Sequence, residues 1–233
     1  MMRYCVSDIH GEYELFLRLL DQIGYSDSDE LLICGDILDK GEDSVQLARL
    51  VLSMPRARCI MGNHEYAFVR RYRALMQTSP RDFDAVLAQL QGYFPKDGHM
   101  LDWDTVDRLD ELPYYIEEES FLCVHAGLPL DGDGVPLPLA EATPEQLVND
   151  RRFKNPETVY RGEKCVLFGH TPTRYICGSD EILGYKKSPD AAGDRIEDYG
   201  RIHLDTGTWL NGVLGCFCMD TCRATYVRRQ NGG

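Results

Sequence analysis

What this chain lacks narrows its possible functions first. Its 233 residues contain no apolar run approaching the ~18 needed to cross a bilayer, and the opening MMRYCVSDIHG has no hydrophobic stretch of secretory type. A cytoplasmic protein with no membrane partner is expected. Basic residues are scarce: 25 Lys and Arg against 38 Asp and Glu leave a formal charge of -13, which argues against a protein that tracks a nucleic-acid backbone. That balance does not exclude a local phosphate pocket. Paired CxxC spacing is also missing. Of the nine cysteines, Cys5, Cys34, Cys59, Cys123 and Cys165 stand in or beside apolar runs, where a thiol packs as a small hydrophobe. Cys216, Cys218 and Cys222 in CFCMDTC read as strand and turn packing, and an odd count without a secretion signal fits a reducing compartment. There is no internal repeat and no long apolar surface pattern asking for a second subunit, so a monomer is expected.

What is present is a series of short, β-prone apolar runs: RYCVS, LLIC, ARCIM, FLCV, CVLF and RIHL, each about the length of a buried strand. Between the early ones lie helical patterns. Phe16, Leu19, Leu20 and Ile23 recur at the spacing of one helix face, and Leu47, Leu50 and Val51 do so in DSVQLARLVL. Alternating strand and helix predicts an α/β fold whose first strands are parallel. The middle of the chain, about residues 64–112, is rich in helix formers and reads as a helical insertion in one domain spanning 1–233. LPLDGDGVPLPLAEATP and GYKKSPDAAGDRIEDYG read as surface loops.

Five of the strands stop at similar residues: Asp8 and His10; Gly35 and Asp36; Gly62, Asn63 and His64; His125; Gly169 and His170. In an open α/β sheet the carboxyl ends of the strands share one edge, where ligands bind, so these groups are expected to converge. Asp, His and Asn offer hard oxygen and borderline nitrogen donors, which suit Mn, Fe or Zn better than a thiolate or oxygen-only site would. A single histidine at a strand end is usually structural, but four of the chain's six stand at that edge. His99 and His203 lack such company and are left to the surface and the sheet.

In order, SDIHG, GDILDKG, GNHE, VHAG and FGHT, followed by LDTG, resemble the signatures of the phosphoprotein phosphatase branch of the calcineurin-like metallophosphoesterases, particularly its compact bacterial and bacteriophage members. The resemblance extends from residue 7 to about 207 and implies a four-layer α/β/β/α sandwich with two metal ions at the sheet edge. It implies that Asp8 and His10 hold one metal, that Asp36 bridges to the second, and that Asn63, His125 and His170 complete the second. The neutral amide of Asn63 then fills a coordination position without adding negative charge, beside the bound phosphate. The implied chemistry is direct attack on phosphorus by a metal-bridging hydroxide, with His64 protonating the leaving oxygen and Asp39 orienting its imidazole.

Two positions depart from the family pattern. Lys40 stands where an arginine is usual, keeping the charge but losing the bidentate fork. In QLVNDRRF, Asn149 replaces a tryptophan, which leaves Arg151 as the expected second phosphate ligand and Arg152 as its substitute. Glu65 and Asp205 are expected to supply supporting hydrogen bonds. The leading expectation is a phosphatase acting on phosphoserine or phosphothreonine in proteins. The alternative is a dinucleoside polyphosphate hydrolase on the same metal core, and a third reading is an inactive phosphate-binding module. Lys186 and Lys187 could recognise an anionic substrate, although a solvated loop is the favoured reading.

Overall fold

In the computed structural model, which describes residues 1–90 and 101–229, the chain builds two five-stranded mixed sheets packed face to face. The first sheet is formed by β1 (Arg3–Val6), β2 (Glu30–Ile33), β3 (Ala57–Cys59), β9 (Val213–Cys218) and β10 (Arg223–Arg228) in the order β10-β9-β1-β2-β3. β1, β2 and β3 are parallel, whereas β9 and β10 add antiparallel strands on the other side of β1. The second sheet contains β4 (Tyr115–Glu117), β5 (Phe121–Val124), β6 (Cys165–Phe168), β7 (Leu183–Lys186) and β8 (Tyr199–His203) in the order β4-β5-β6-β8-β7. Its three central strands are parallel and both edges are antiparallel.

Strand alternation creates three apolar layers, which is why the strands read as unbroken hydrophobic runs rather than alternating ones. Leu31 and Ile33 of β2 face α1 (Tyr13–Ile23) and α2 (Ser44–Ser53), where they meet Phe16, Leu19, Leu47 and Val51. Leu32 points the other way, into the inter-sheet core with Cys5, Cys123, Cys165, Leu167 and Ile202. Leu122, Val124, Val166 and Phe168 form the outer face of the second sheet, packed on Leu147 and Phe153. This is the α/β architecture of two mixed sheets with outer helices that the motif series implied.

The expected faces of the first two helices need one adjustment: Leu15 is buried on α1, Val45 and Ala48 are buried on α2, and Leu20, Ile23 and Leu50 are only partly covered. Three helices follow: α3 (Asn63–Met76), α4 (Phe83–Leu90) and α5 (Trp103–Asp110). His99 lies outside the described residues. His203 is fully buried in β8 and stacks on Phe168, with ring centroids 4.4 Å apart. The polar excursion beginning GYKKSP was read as a loop, but its start belongs to β7, an edge strand paired with β8. Lys186 Nζ donates to the Ala191 and Ala192 carbonyls and Lys187 Nζ to that of Glu163, so backbone acceptors hold both ammonium groups.

Candidate metal centre

The segments after β1 and β2 are laced together at the sheet edge. Asp8 N donates to Gly35 O (3.1 Å), His10 N to Asp36 O (2.9 Å) and Gly11 N to Ile37 O (2.9 Å). To fit this lacing, the backbone adopts left-handed conformations that L-residues rarely occupy. Of the seven non-glycine residues with positive φ among the described residues, six stand here: Asp8, His10, Asp36, Asp39, Lys40 and His170. Backbone strain of this kind persists only where surrounding contacts over-determine it, and it concentrates at functional sites. Gly35 is also required, since at its φ of +82° an added Cβ would lie 2.6 Å from Gly62 Cα.

Glu65 fastens the next segment. Buried in the first turn of α3, its carboxylate accepts N–H groups from Asp36 (2.8 Å), Leu38 (2.9 Å) and Gly62 (3.0 Å), while Asp36 Oδ1 accepts from His64 N (3.0 Å). Burial and the adjacent Asp36 push the Glu65 carboxyl up to about 7. Contact between the sheets comes from His170 N, which donates to Asp8 Oδ2 at 2.9 Å. Asp205 is buried and its Oδ1 accepts from Gly207 N, so it shapes the LDTG turn.

The six expected ligands come together. His10 Nε2 lies 3.8 Å from Asp8 Oδ1 and 3.6 Å from Asp36 Oδ2, and His125 Nε2 lies 3.5 Å from Asp36 Oδ1. Asn63 Oδ1 sits 2.9 Å from His125 Nε2 and 2.8 Å from His170 Nδ1. Two histidines have a fixed tautomer: His10 Nδ1 faces the Leu38 carbonyl at 3.1 Å and His125 Nδ1 that of Cys34 at 2.7 Å, which turns each Nε2 towards the carboxylates. Ligand atoms of His10, Asp36 and His64 lie within 4.8 Å of one another, as do those of Asp36, His125 and His170. Asp36 belongs to both groups.

Protonation differs across the cluster, and two of its three histidine ligands are neutral. Burial takes His10 down to about 3, and burial together with His125 does the same to His170, leaving both imidazoles neutral and able to donate lone pairs. Burial pulls His125 down as well, but Asp36 and Asp8 outweigh it and raise it to about 10. Asp8 Oδ1 and His170 Nε2 are buried with no hydrogen-bond partner. Orphaned atoms of this kind carry a desolvation penalty unless something else satisfies them, and divalent cations would. The donors therefore fit metal binding.

His64 reaches the same carboxylate, with Nε2 3.8 Å from Asp36 Oδ2, but its Nδ1 is 2.9 Å from Asp39 Oδ2. Burial lowers its basicity, while Asp36 and the Asp39 hydrogen bond more than compensate and hold it above its ordinary value. The hydrogen bond to Asp39 and its partial exposure suit this imidazole to proton donation better than to ligation. Lys40 donates from Nζ to His10 Nε2 at 2.9 Å. Arg151 is exposed just beyond α6 (Pro144–Asn149), and its charge contributes to the lowering of His170. Arg152, expected as a possible substitute, is paired with Asp150 at 2.5 Å.

A family profile described as calcineurin-like phosphoesterase matches residues 1–204. The chain is a calcineurin-like phosphoesterase. This family uses a dinuclear divalent metal site, in keeping with the paired ligand groups around Asp36. A symmetrical bis(5'-nucleosyl)-tetraphosphatase of Aggregatibacter actinomycetemcomitans is 31% identical over 136 residues, 57% of this chain and 46% of that protein. The chain thus spans about half the length of the curated relatives it matches. A solved structure provisionally described as a diadenosine tetraphosphatase superposes with a TM-score of 0.69 at 20% identity, covering 99% of this chain and 94% of its own. A protein serine/threonine phosphatase from Saccharomyces cerevisiae gives 0.50 at 13% identity, covering 100% and 81%. These two structural likenesses concern the fold alone.

Sequence reasoning passed over one residue at this edge. Trp209 lies two residues beyond the LDTG turn, 45% exposed, with its ring centroid 5.3 Å from Lys40 Nζ. The signal was available, because an aromatic residue immediately follows a turn already assigned to the site.

Proposed function

We propose that this phosphoesterase hydrolyses a phosphoanhydride bond in dinucleoside polyphosphates, with diadenosine tetraphosphate as the type substrate. The observation that carries this reading above the phosphoprotein one is the similarity to symmetrical bis(5'-nucleosyl)-tetraphosphatases. Its local support is a groove of about 540 Å³ that opens from Asn63 along α3 and is lined by Tyr66, Arg70 and Arg71. The groove is large enough for a nucleoside, and its arginines suit a polyanion.

Asp8, His10, Asp36, Asn63, His125 and His170 would hold the metals, with manganese the first candidate and iron or zinc compatible with the same donors. Such a pair, when bound, supplies an acidified water and neutralises phosphate charge. The protein's own groups perform the remaining work. Lys40 and Arg151 hold phosphate oxygens, and the Asn63 amide adds a neutral contact. Asp39 accepts the His64 Nδ1 proton, which aims Nε2–H at the departing phosphate oxygen. As water oxygen bonds to phosphorus and the bridging P–O bond breaks, His64 donates that proton.

The test is a side-by-side measurement of kcat/KM for diadenosine tetraphosphate and for phosphoserine, phosphothreonine and phosphotyrosine peptides. The dinucleotide is expected to win by orders of magnitude. Preference for a phosphopeptide would restore the protein-phosphatase reading, and metal binding without turnover of any substrate would favour the inactive module.

A further inference from the structure

Trp209 belongs to α7 (Thr208–Asn211), a single turn whose position is tightly fixed. Glycines in left-handed conformation bound it, Gly207 at φ +81° and Gly212 at φ +70°. Asn211 Nδ2 donates to Thr206 O (3.1 Å) and Asp180 Oδ1 (2.5 Å), and Thr208 is fully buried. The ring is left 45% exposed on this mount, open to solvent and to a ligand. Its neighbour gives the direction of interest, since Lys40 Nζ lies 5.3 Å from the indole centroid and 2.9 Å from His10 Nε2. The exposed indole therefore stands one lysine head group away from a candidate metal ligand.

We propose that Trp209 is a nucleobase platform, on which the adenine of a nucleotide stacks while its phosphates lie against Lys40 and the metal centre. The inference rests on the dinucleotide reading above and extends it to a named subsite. A flat π-system joined by a short sugar linker to an anion is the chemistry that matches an indole beside an ammonium group, and base–aromatic stacking tolerates any base because each has a π-face. The other tryptophan, Trp103 on α5, contacts Tyr72 of α3 with centroids 5.3 Å apart and provides a control.

With the full-length, metal-loaded protein, Trp209→Ala is expected to raise KM for diadenosine tetraphosphate roughly 5- to 100-fold with a smaller change in kcat, and Trp209→Phe to recover most of the loss. Independently of turnover, Trp103→Phe leaves Trp209 as the sole indole. Its emission in the zinc-loaded protein is expected to be quenched saturably by adenosine diphosphate but not by ribose 5-phosphate. Quenching by the nucleotide in a protein that fails to cleave the dinucleotide would retain the platform and remove the assigned reaction. Unchanged KM in a folded Trp209→Ala protein that cleaves the dinucleotide normally would overturn the platform. So would emission indifferent to the base, or stronger quenching by a phosphotyrosine peptide than by the nucleotide.

Discussion

Two buried triads lie back to back in this molecule and look alike by residue type alone. One is Asp36, His125 and His170; the other is Cys5, Cys34 and Cys123, whose sulfurs also lie within 4.8 Å of one another. They touch through Cys34, whose carbonyl accepts His125 Nδ1–H. Their surroundings differ in every respect that matters. The thiols project from regular strand positions or their direct continuation into the inter-sheet core, with Cys5 and Cys34 sulfurs 3.5 Å apart among Leu32, Phe121 and Leu167. Burial drives the Cys5 thiol well above its ordinary value, which keeps it neutral. In the metal-edge triad Asp36 and His170 instead stand on left-handed backbone, one His170 nitrogen is orphaned, and His125 lies beside the Asp36 carboxylate. A cluster of possible ligands becomes a site when its groups are underpaired and held in strained loops, and remains core when they are packed at regular strand positions.

That contrast can be broken most severely at the shared carboxylate. Asp36→Asn should lower kcat by at least about 10³-fold and reduce the bound metal measured by atomic emission, because both ligand groups lose their common member. Retention of two metals with full turnover would sink the bridging role. His64→Gln should cost roughly 10²-fold or more in kcat, most strongly for substrates with poor leaving groups, while metal content stays constant. Lys40→Ala should raise KM by up to about tenfold, and Lys40→Arg should match or exceed the native protein; indifference to alanine would remove Lys40 from phosphate binding. On the thiol side, Cys123→Ala should destabilise by about 1–2 kcal/mol in urea unfolding with kcat and metal content little changed. Loss of a bound metal in that variant would make the thiols a site after all.

Most of the metal edge was legible because its determinants are local. A β-prone run ending in Asp, His or Asn announces both the strand and the donor, and parallel order brings the strand ends together. The antiparallel strands were less visible. β4 spans only three residues, and β7 alternates partly buried with exposed positions at a sheet edge, so its GYK start resembles loop composition. Arg201 was also missed: buried in β8, it donates to the carbonyls of Phe153, Asn155, Pro156 and Thr158, all distant in sequence. Positive φ at Asp8, His10, Asp36, Asp39, Lys40 and His170 could not be read, since tertiary hydrogen bonds impose it on residues that do not ask for it. The substrate preference was harder still, because the candidate ligand residues alone do not distinguish a monoester from an anhydride.

Asp8, His10, Asp36 and Asn63 follow strands of the first sheet, whereas His125 and His170 follow strands of the second. A cation shared by Asp36, Asn63, His125 and His170 would act as a rivet through two plates. Neither plate alone supplies all four of those donors, so occupancy of that position would report that docking of the halves is complete. Withdrawing the rivet with a chelator would loosen the seam between them before it disturbed either plate.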